Sequence, residues 1–405
     1  MGDVLSPPVS KSDAHRALVL AEMRTGQHEA FLAMATDIPR DVDVISRGLV
    51  ALRGERAEID CIDAGAPFRF LVTQACLKRP GAEWTFRGTP RLAERPHQAL
   101  FESLTCALDV GIAVPPSGWP LRIVVHSDRM KAPFRVDGAA SSQFVSSVLL
   151  GAATLAQARG HSISVEAKGE VASEGYLALT LDWMRRFGFS VDLHDGQYRV
   201  DVPVTPQLPT SLPGDWSSLT YLLPLAWIAG LGVERVDRTS IHPDAVFANH
   251  LESAGLRLRT QGVETRVEGE LERGFEVDAS KCPDAVPALV AMALRCPESS
   301  RFRRCAVLRL KESDRLTGCA DLAKAVGGRA TVEGDELTVT PVTTPKVVGT
   351  FDGQEDHRLV MAAAVAARLL SVSLPIRGTS AVRKSFPAFW EQASKAGVQR
   401  IEADA

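Results

Sequence analysis

Apolar residues in this chain follow two helical patterns, which alternate with short strand-like runs. In the first, apolar side chains recur at i, i+3, i+4 and i+7, usually with a glycine just past the last turn. This predicts amphipathic helices over 41–54, 95–111, 174–188, 243–255, 312–327 and 384–397. Their starts lie about 54–79 residues apart, a recurrence that marks internal repeats. The second pattern is apolar on all sides and predicts buried helices beginning near Ser10, Gly65, Ser141, Asp215, Asp284 and Asp356. Between the helices lie β-like runs at 121–125, 162–165, 198–202 and 336–340. Each repeat therefore reads as strands plus one buried and one amphipathic helix. The fold class is α/β, and the surplus of strands argues against a single barrel in which strands and helices alternate one to one. The stretch 205–213 is rich in proline and lacks periodicity, so a boundary is expected there. It would divide six repeats three and three, giving a domain over 9–213 and a second over 1–8 plus 214–405.

Composition narrows the function. A chain with 45% hydrophobic and 23% charged residues builds a globular core rather than a disordered coil. Its formal net charge of −3 gives no general attraction to nucleic acid or membrane, so no nucleic-acid partner is expected. Affinity for anions has to come from local clusters of Lys and Arg. The longest apolar stretch, 222–231, is too short to span a bilayer, so no membrane partner is expected either. Seven cysteines are scattered without a C-x-x-C pair or a histidine at ligand spacing, the pattern of buried thiols in a reducing compartment. The first residues lack a basic region followed by an apolar one, and a cytoplasmic location is expected.

Chemistry-bearing residues collect at the starts of the buried helices: Ser10-Lys11-Ser12 with Arg16, Asp63-Ala64-Gly65 with Arg69, Ser141-Ser142-Gln143, Asp215-Trp216-Ser217-Ser218, Pro283-Asp284, and Asp356-His357-Arg358. Helix N-termini attract anions, and Ser, Asp and Gly there also serve as simple caps. Capping alone leaves the adjacent Lys and Arg unexplained, because a cation is locally unfavourable at that end. Further cations open the amphipathic segments at Glu94-Arg95-Pro96, Lys311-Glu312-Ser313-Asp314-Arg315 and Arg383-Lys384-Ser385.

In order along the chain, these segments resemble the motifs of the 5-enolpyruvylshikimate-3-phosphate synthase family. Pro8-Val9-Ser10-Lys11-Ser12 with Arg16 resembles its opening substrate loop, and Asp63-Ala64-Gly65-Ala66 with Arg69 its glycine loop. Pro90 to Pro96, Ser141-Ser142-Gln143, Ser173 with Tyr176, Pro283-Asp284, Lys311 to Arg315, Asp356-His357-Arg358 and Lys384-Ser385-Phe386-Pro387 follow. The resemblance implies two similar domains, each of three β-α-β-α-β-β repeats forming an inside-out α/β barrel, with the active site in the interdomain cleft. It also implies transfer of the enolpyruvyl group of phosphoenolpyruvate to the 5-hydroxyl of shikimate-3-phosphate, releasing phosphate, with no cofactor and no metal. Members are commonly monomeric, and a monomer is the expectation here. By the same resemblance Lys11, Ser12, Arg16, Ser141, Ser142, Ser173, Tyr176, Asp284 and Lys311 hold shikimate-3-phosphate. Lys11, Gly65, Arg95, Gln143, Arg315, Arg358 and Lys384 hold phosphoenolpyruvate. Asp284 and Glu312 form the acid/base pair, Lys11 is shared between both ligands, and His357 is a supporting polar group.

Two departures stand out. Ala66 and Pro67 follow Gly65 where the family often has a hydroxyl residue, and Val307 stands where many relatives have a polar substrate contact. A related transferase that acts on a UDP-amino sugar commonly carries a cysteine in its reactive loop. The corresponding segment here, 87–94, has none.

Overall fold

The computed structural model describes residues 4–33, 35, 37–139, 141–169, 174–204, 209 and 211–403. Its chain separates into two compact units. The first gathers Lys11–Ala35 and Asp41–Leu212, and the second Met1–Ser10, Thr36–Arg40 and Pro213–Ala405. Part of the expected boundary segment, 205–208 and 210, lies outside the described residues.

All six buried helices form, at Lys11–Thr25, Gly65–Cys76, Ser142–Arg159, Trp216–Ala229, Val286–Ala293 and His357–Leu370. Their starts fall within two residues of those expected. Three are fixed by side-chain caps: Ser141 accepts from the Gln143 N–H, Asp215 from Ser218 and Asp356 from Arg358. Each cap supplies an acceptor to an otherwise unpaired N–H. Within each unit, three buried helices pack against one another and carry β-sheets on their outer sides. The first unit's core is dense in aromatics, including Phe68, Phe70, Phe86, Phe144 and Trp183. The second is aliphatic and alanine-rich, and all eight side chains of Val286–Ala293 are buried.

Four segments share one topology, β-α-β-α-β-β folded into a four-stranded sheet. In Arg56–Asp60, Glu83–Arg87, Leu121–Met130 and Leu108–Ala113, taken across the sheet, the first pair is parallel and the rest antiparallel. The sheet of Phe134–Asp137, Ile163–Lys168, Gln197–Val200 and Val191–His194 repeats that order. So does the sheet built on Glu276–Asp278 and Ser300–Arg303. In the fourth, Val4–Leu5 from the chain's beginning lies parallel to Gly232–Glu234, supplying that repeat's first strand. The other two repeats are reduced. Phe351–Asp352 and Ile376–Arg377 make a two-stranded sheet. Lys11–Thr25 and Arg40–Ala51 are joined through a 3-10 turn at His28–Phe31 with no strand among the described residues.

Some element boundaries differ from the sequence expectation. The helix expected over 95–111 is Gln98–Ala107, and Gly111 lies instead in the strand Leu108–Ala113. There Val110 and Ile112 alternate with polar or small neighbours and pair with 121–130, so sheet pairing outweighs helical spacing. The helix expected from Lys384 is divided into a 3-10 turn at Thr379–Lys384 and a helix Phe389–Lys395, with Pro387 between them. A left-handed terminal glycine does occur at Gly327, where φ is +80° and an added Cβ would lie 2.9 Å from the Lys346 carbonyl oxygen.

One ion-pair cluster joins the reduced repeat of the first unit. Arg53 bridges Glu22 (2.7 Å) and Glu29 (2.8 Å), and the buried His28 places Nδ1 2.6 Å from Glu22. Glu22, His28 and Glu29 are close enough to hold a metal ion, but the Arg53 guanidinium already bonds both carboxylates. Burial alone would raise the Glu22 carboxyl, yet Arg53 and His28 outweigh it and hold the group down at about 2. A carboxyl whose proton affinity drops on folding stabilises the fold above its ordinary value, 4.5, and that support is lost as pH falls toward 2. Solvent screening at this half-open site limits the contribution to about 1 kcal/mol. Urea unfolding should therefore show Arg53→Leu destabilised at pH 7, with the gap to wild type narrowing as pH falls from 4.5 toward 2.

Candidate functional site

In the first unit the candidate residues gather around helix starts. Lys11 begins its helix and places Nζ 3.2 Å from Asp41 Oδ2, a buried carboxylate on a neighbouring helix. Arg16, one turn on, is buried and already committed to its own unit. Its Nε donates to Thr180 Oγ1 (2.7 Å), Nη1 to the Ser12 carbonyl (2.6 Å) and Nη2 to the Tyr176 carbonyl (2.8 Å). Burial lowers its proton affinity to about 10, which leaves it charged at neutral pH. Arg16 thus ties the Lys11 and Glu174 helices together and fixes the backbone of both Ser12 and Tyr176. Ser173 lies outside the described residues.

The Gly65–Cys76 helix differs from its capped counterparts, since its N-cap residue, Ala64, offers no side-chain acceptor. What stands there is Arg95. A Cβ placed on Gly65 would lie 2.5 Å from Arg95 Nη1, so the guanidinium can occupy this position only because residue 65 lacks a side chain. An uncapped buried helix start with a guanidinium over it suits a small anion. Arg69 organises the surroundings. It is buried, lies 4.9 Å over the Phe144 ring, donates to Gln143 Oε1, and donates to the Pro96 carbonyl at 3.0 Å. It thereby holds Gln143 in place and anchors the backbone next to Arg95. His97 beside it is held down at about 3 by burial and by the Arg69 charge, so it is a neutral ring. Ser141 caps the third buried helix, and Ser142 is buried in its first turn.

The second unit holds a network of acids and bases centred on Arg315. Arg315 is 1% exposed and meets three carboxylates. Its Nε donates to Asp356 Oδ2 at 2.7 Å, its Nη1 to Asp284 Oδ1 at 2.7 Å, and its Nη2 to Glu312 Oε2 at 2.6 Å. Asp284 also faces Arg358 (3.2 Å) and Lys311 (3.3 Å), and Glu312 faces Lys384 (3.6 Å). Burial would raise the Asp284 carboxyl, but Arg358, Lys311 and Arg315 hold it well below the usual carboxylate range. Arg358 is buried as well, and the Asp284 charge outweighs that burial and keeps it firmly protonated. Asp284, Lys311, Glu312, Arg315, Arg358 and Lys384 therefore form one connected group in this unit.

Other residues of this region stand in a sequence motif without an assigned role, as Asp356 does, or outside every motif, as Asp244 does. Asp356 is fully buried and accepts from Arg315, from Ser313 Oγ (3.0 Å) and from the Arg358 N–H (2.9 Å). The two residues before it, Gln354 and Glu355, take left-handed conformations with φ of 51° and 52°. That costs backbone energy, and the buried contacts of Asp356 offset it. Asp244, fully buried, accepts from Ser217 Oγ at 2.5 Å. Burial raises the Asp244 carboxyl, helped by the neighbouring Asp284 charge and opposed by His242 and Arg358. Its only local cue is its place in the helix start Pro243–Ala245. Val307 is half-buried and packs against the apolar core of its unit.

The arrangement meets comparable proteins along its whole length. A family model described as EPSP synthase (3-phosphoshikimate 1-carboxyvinyltransferase) matches residues 1–393. A 3-phosphoshikimate 1-carboxyvinyltransferase of Methanoculleus marisnigri is 32% identical, the match covering 95% of this chain and 94% of that protein. One from Bordetella parapertussis is 31% identical over 95% of this chain and 93% of its own length. Among solved structures, an EPSP synthase of Acinetobacter baumannii superposes with a TM-score of 0.69 at 20% identity, covering 98% of this chain and 97% of that one. The enolpyruvyl transferase NikO of Streptomyces tendae does so with a TM-score of 0.70 at 14% identity, covering 98% and 95%.

Proposed function

The chain belongs to the EPSP synthase family, the 3-phosphoshikimate 1-carboxyvinyltransferases of the shikimate pathway, and from that premise we propose how its residues divide the reaction. The enzyme transfers the enolpyruvyl group of phosphoenolpyruvate to the 5-hydroxyl of shikimate-3-phosphate and releases phosphate. The observation that carries the assignment of roles is the Arg315 hub, which holds two carboxylates of different character beside three further cations.

Asp284 is the base. Its three cationic neighbours keep it ionised, the form that accepts the proton of the 5-hydroxyl. Glu312 is the acid that protonates the methylene carbon of phosphoenolpyruvate, and its side chain is partly open, 19% exposed. Lys11 serves both ligands. Arg95, Arg315, Arg358 and Lys384 neutralise the carboxylate and phosphate of phosphoenolpyruvate at the uncapped start of the Gly65 helix and around the hub, and Gln143 hydrogen-bonds to it. Ser12, Ser141, Ser142, Ser173, Tyr176 and Lys311 hold shikimate-3-phosphate. Arg16 contributes by fixing the backbone of Ser12 and Tyr176. Three of its N–H donors go to protein oxygens, which makes it a positioning residue in this reading. The reaction needs charge neutralisation and three proton transfers, and these side chains supply both. The 5-hydroxyl proton passes to Asp284 and Glu312 protonates the methylene carbon; the Glu312 carboxylate then takes a proton back from the methyl group as the C–O bond to phosphate breaks, and phosphate leaves with the proton held by Asp284.

The same proposal has residues of both units serve one pair of substrates, each unit being an inside-out barrel built of three repeats. A monomeric, cytoplasmic enzyme belongs to it too. Seven free cysteines support the location, six of them buried and Cys106 exposed. No helix among the described residues is long and apolar enough to cross a membrane.

Phosphate release from phosphoenolpyruvate, followed with shikimate-3-phosphate and with a UDP-amino sugar as acceptors, tests the assignment. Release with the first alone is expected; release only with the second, or with neither, refutes it. Gly65→Ala tests the anion position. The added methyl displaces the flexible end of Arg95 rather than backbone, so the unfolding midpoint should hold while kcat/KM for phosphoenolpyruvate falls roughly 10- to 100-fold. Unchanged kinetics would remove Arg95 from the site.

A further inference from the structure

Glu312 does more here than wait for a substrate. Its carboxylate lies between two cations from different elements: Oε2 is 2.6 Å from Nη2 of Arg315, and Oε1 faces Nζ of Lys384 at 3.6 Å. Both cations are buried, so neither charge is neutralised by bulk water. A carboxylate joined to two buried cations through its two oxygens makes the same kind of contact as an anionic ligand at that position. Glu312 differs from the other acids of the hub in its partners. Asp356 is fully enclosed and caps a helix, and Asp284 meets three cations, whereas Glu312 meets Arg315 and Lys384 from the non-helical segment before Arg315–Ala325, with 19% of its side chain exposed.

We propose that Glu312 is an internal stand-in for the substrate anion, displaced from Arg315 and Lys384 when phosphoenolpyruvate binds, and that it takes up a proton from solvent as it leaves. The inference rests on the transferase reading above. Its physical basis is an exchange of neighbours. Before binding, two cations favour the ionised form. After it, those cations serve the ligand, and Glu312 faces the new anion and the ionised Asp284, both of which favour its neutral form. The remaining charged groups do not reverse this balance. Lys311 is paired with Asp284, Arg358 also faces Asp284, and Asp356, which shares Arg315 Nη2 with Glu312, is an acid that also favours the neutral form. Proton balance is simple: one proton passes from solvent to the Glu312 carboxylate, with no oxidant or further reactant. The exchange also removes a conflict in the chemistry. An acid catalyst surrounded by cations is poorly suited to hold a proton, and here the substrate itself strips those cations away at the moment when the proton is needed.

The test is phosphoenolpyruvate binding to the full chain in the presence of a shikimate-3-phosphate analogue that lacks the 5-hydroxyl, so that no transfer occurs. Titration calorimetry in buffers of different ionisation enthalpy counts protons taken up, and comparison with Glu312→Gln cancels the ligand's own protonation. Wild type should take up more protons than Glu312→Gln, by up to one per ligand. The variant, freed of the competing carboxylate, should bind phosphoenolpyruvate roughly threefold to tenfold more tightly. Equal uptake by the two proteins, weaker binding by the variant, or no uptake by wild type alone overturns the inference. If those results accompany normal phosphate release in the turnover assay, the transferase reading stands and only the stand-in role falls. Failure of phosphoenolpyruvate to bind wild type, with no turnover, removes both.

Discussion

Replacing Arg315 by methionine is expected to destabilise the second unit by about 3–5 kcal/mol, because it strips the shared cation from three carboxylates at once. The cost concentrates on Asp356, which is fully buried and ion-paired with Arg315. Asp284 keeps Arg358 and Lys311, and Glu312 keeps Lys384, so those two lose less. Urea unfolding followed by ellipticity measures the effect. Its pH dependence identifies the cause: folded Asp284 has a depressed proton affinity, so the support it gives is present at neutral pH and is lost on acidification. The gap between wild type and Arg315→Met should therefore narrow as pH falls below the ordinary carboxylate range. Arg315→Lys keeps the charge but cannot direct separate donors to three acids, and it should fall between the two. A methionine variant with wild-type stability would contradict the hub as described.

Glu312→Gln is the second large effect. Glutamine retains the size and most of the hydrogen-bonding shape of the side chain but cannot deliver a proton. Turnover should fall about 10²- to 10⁴-fold, the range for loss of a positioned acid or base, while the unfolding midpoint stays close to wild type. Steady-state kinetics with both substrates separate this outcome from a binding defect, since kcat carries the loss and KM for phosphoenolpyruvate does not rise. Near-normal turnover would remove Glu312 from the chemistry and leave Asp284 and Lys11 as the candidates.

Much of this architecture was readable from local patterns, and the reason is physical. Buried helix starts combine a capping side chain with an apolar run on all faces, and both signals lie within a few residues of each other. Asp215 and Asp356 announce their helices for that reason, and each caps as expected. Where the outcome depended on pairing with a distant strand, local pattern failed, as at Leu108–Ala113, which helical spacing had claimed. Two of the six repeats were also reduced in strands in a way that their helices did not announce.

The site divides along the same line. Its residue types were legible because they follow the helix starts in order, but the partnerships were not. Arg315 meets Asp284 across 31 positions and Asp356 across 41, and nothing in the intervening chain encodes that encounter. Arg16 shows a partnership of the same kind. Its place in a substrate-loop motif points to a ligand, and the folded chain also directs three of its donors to Thr180 and two carbonyls. Arg69, quoted only as part of the glycine loop, turns out to hold Gln143 and the backbone next to Arg95.

In the proposed mechanism this enzyme moves an enolpyruvyl group by protonating and then deprotonating its methylene carbon. The most direct measurement is nuclear magnetic resonance of the full chain with phosphoenolpyruvate and shikimate-3-phosphate in deuterated water. The account predicts release of inorganic phosphate, a new enol ether on the shikimate ring, and deuterium in its methylene group, since the acid delivers solvent hydrogen before one is removed. Unchanged signals from both substrates, or phosphate release without a new enol ether, would contradict it.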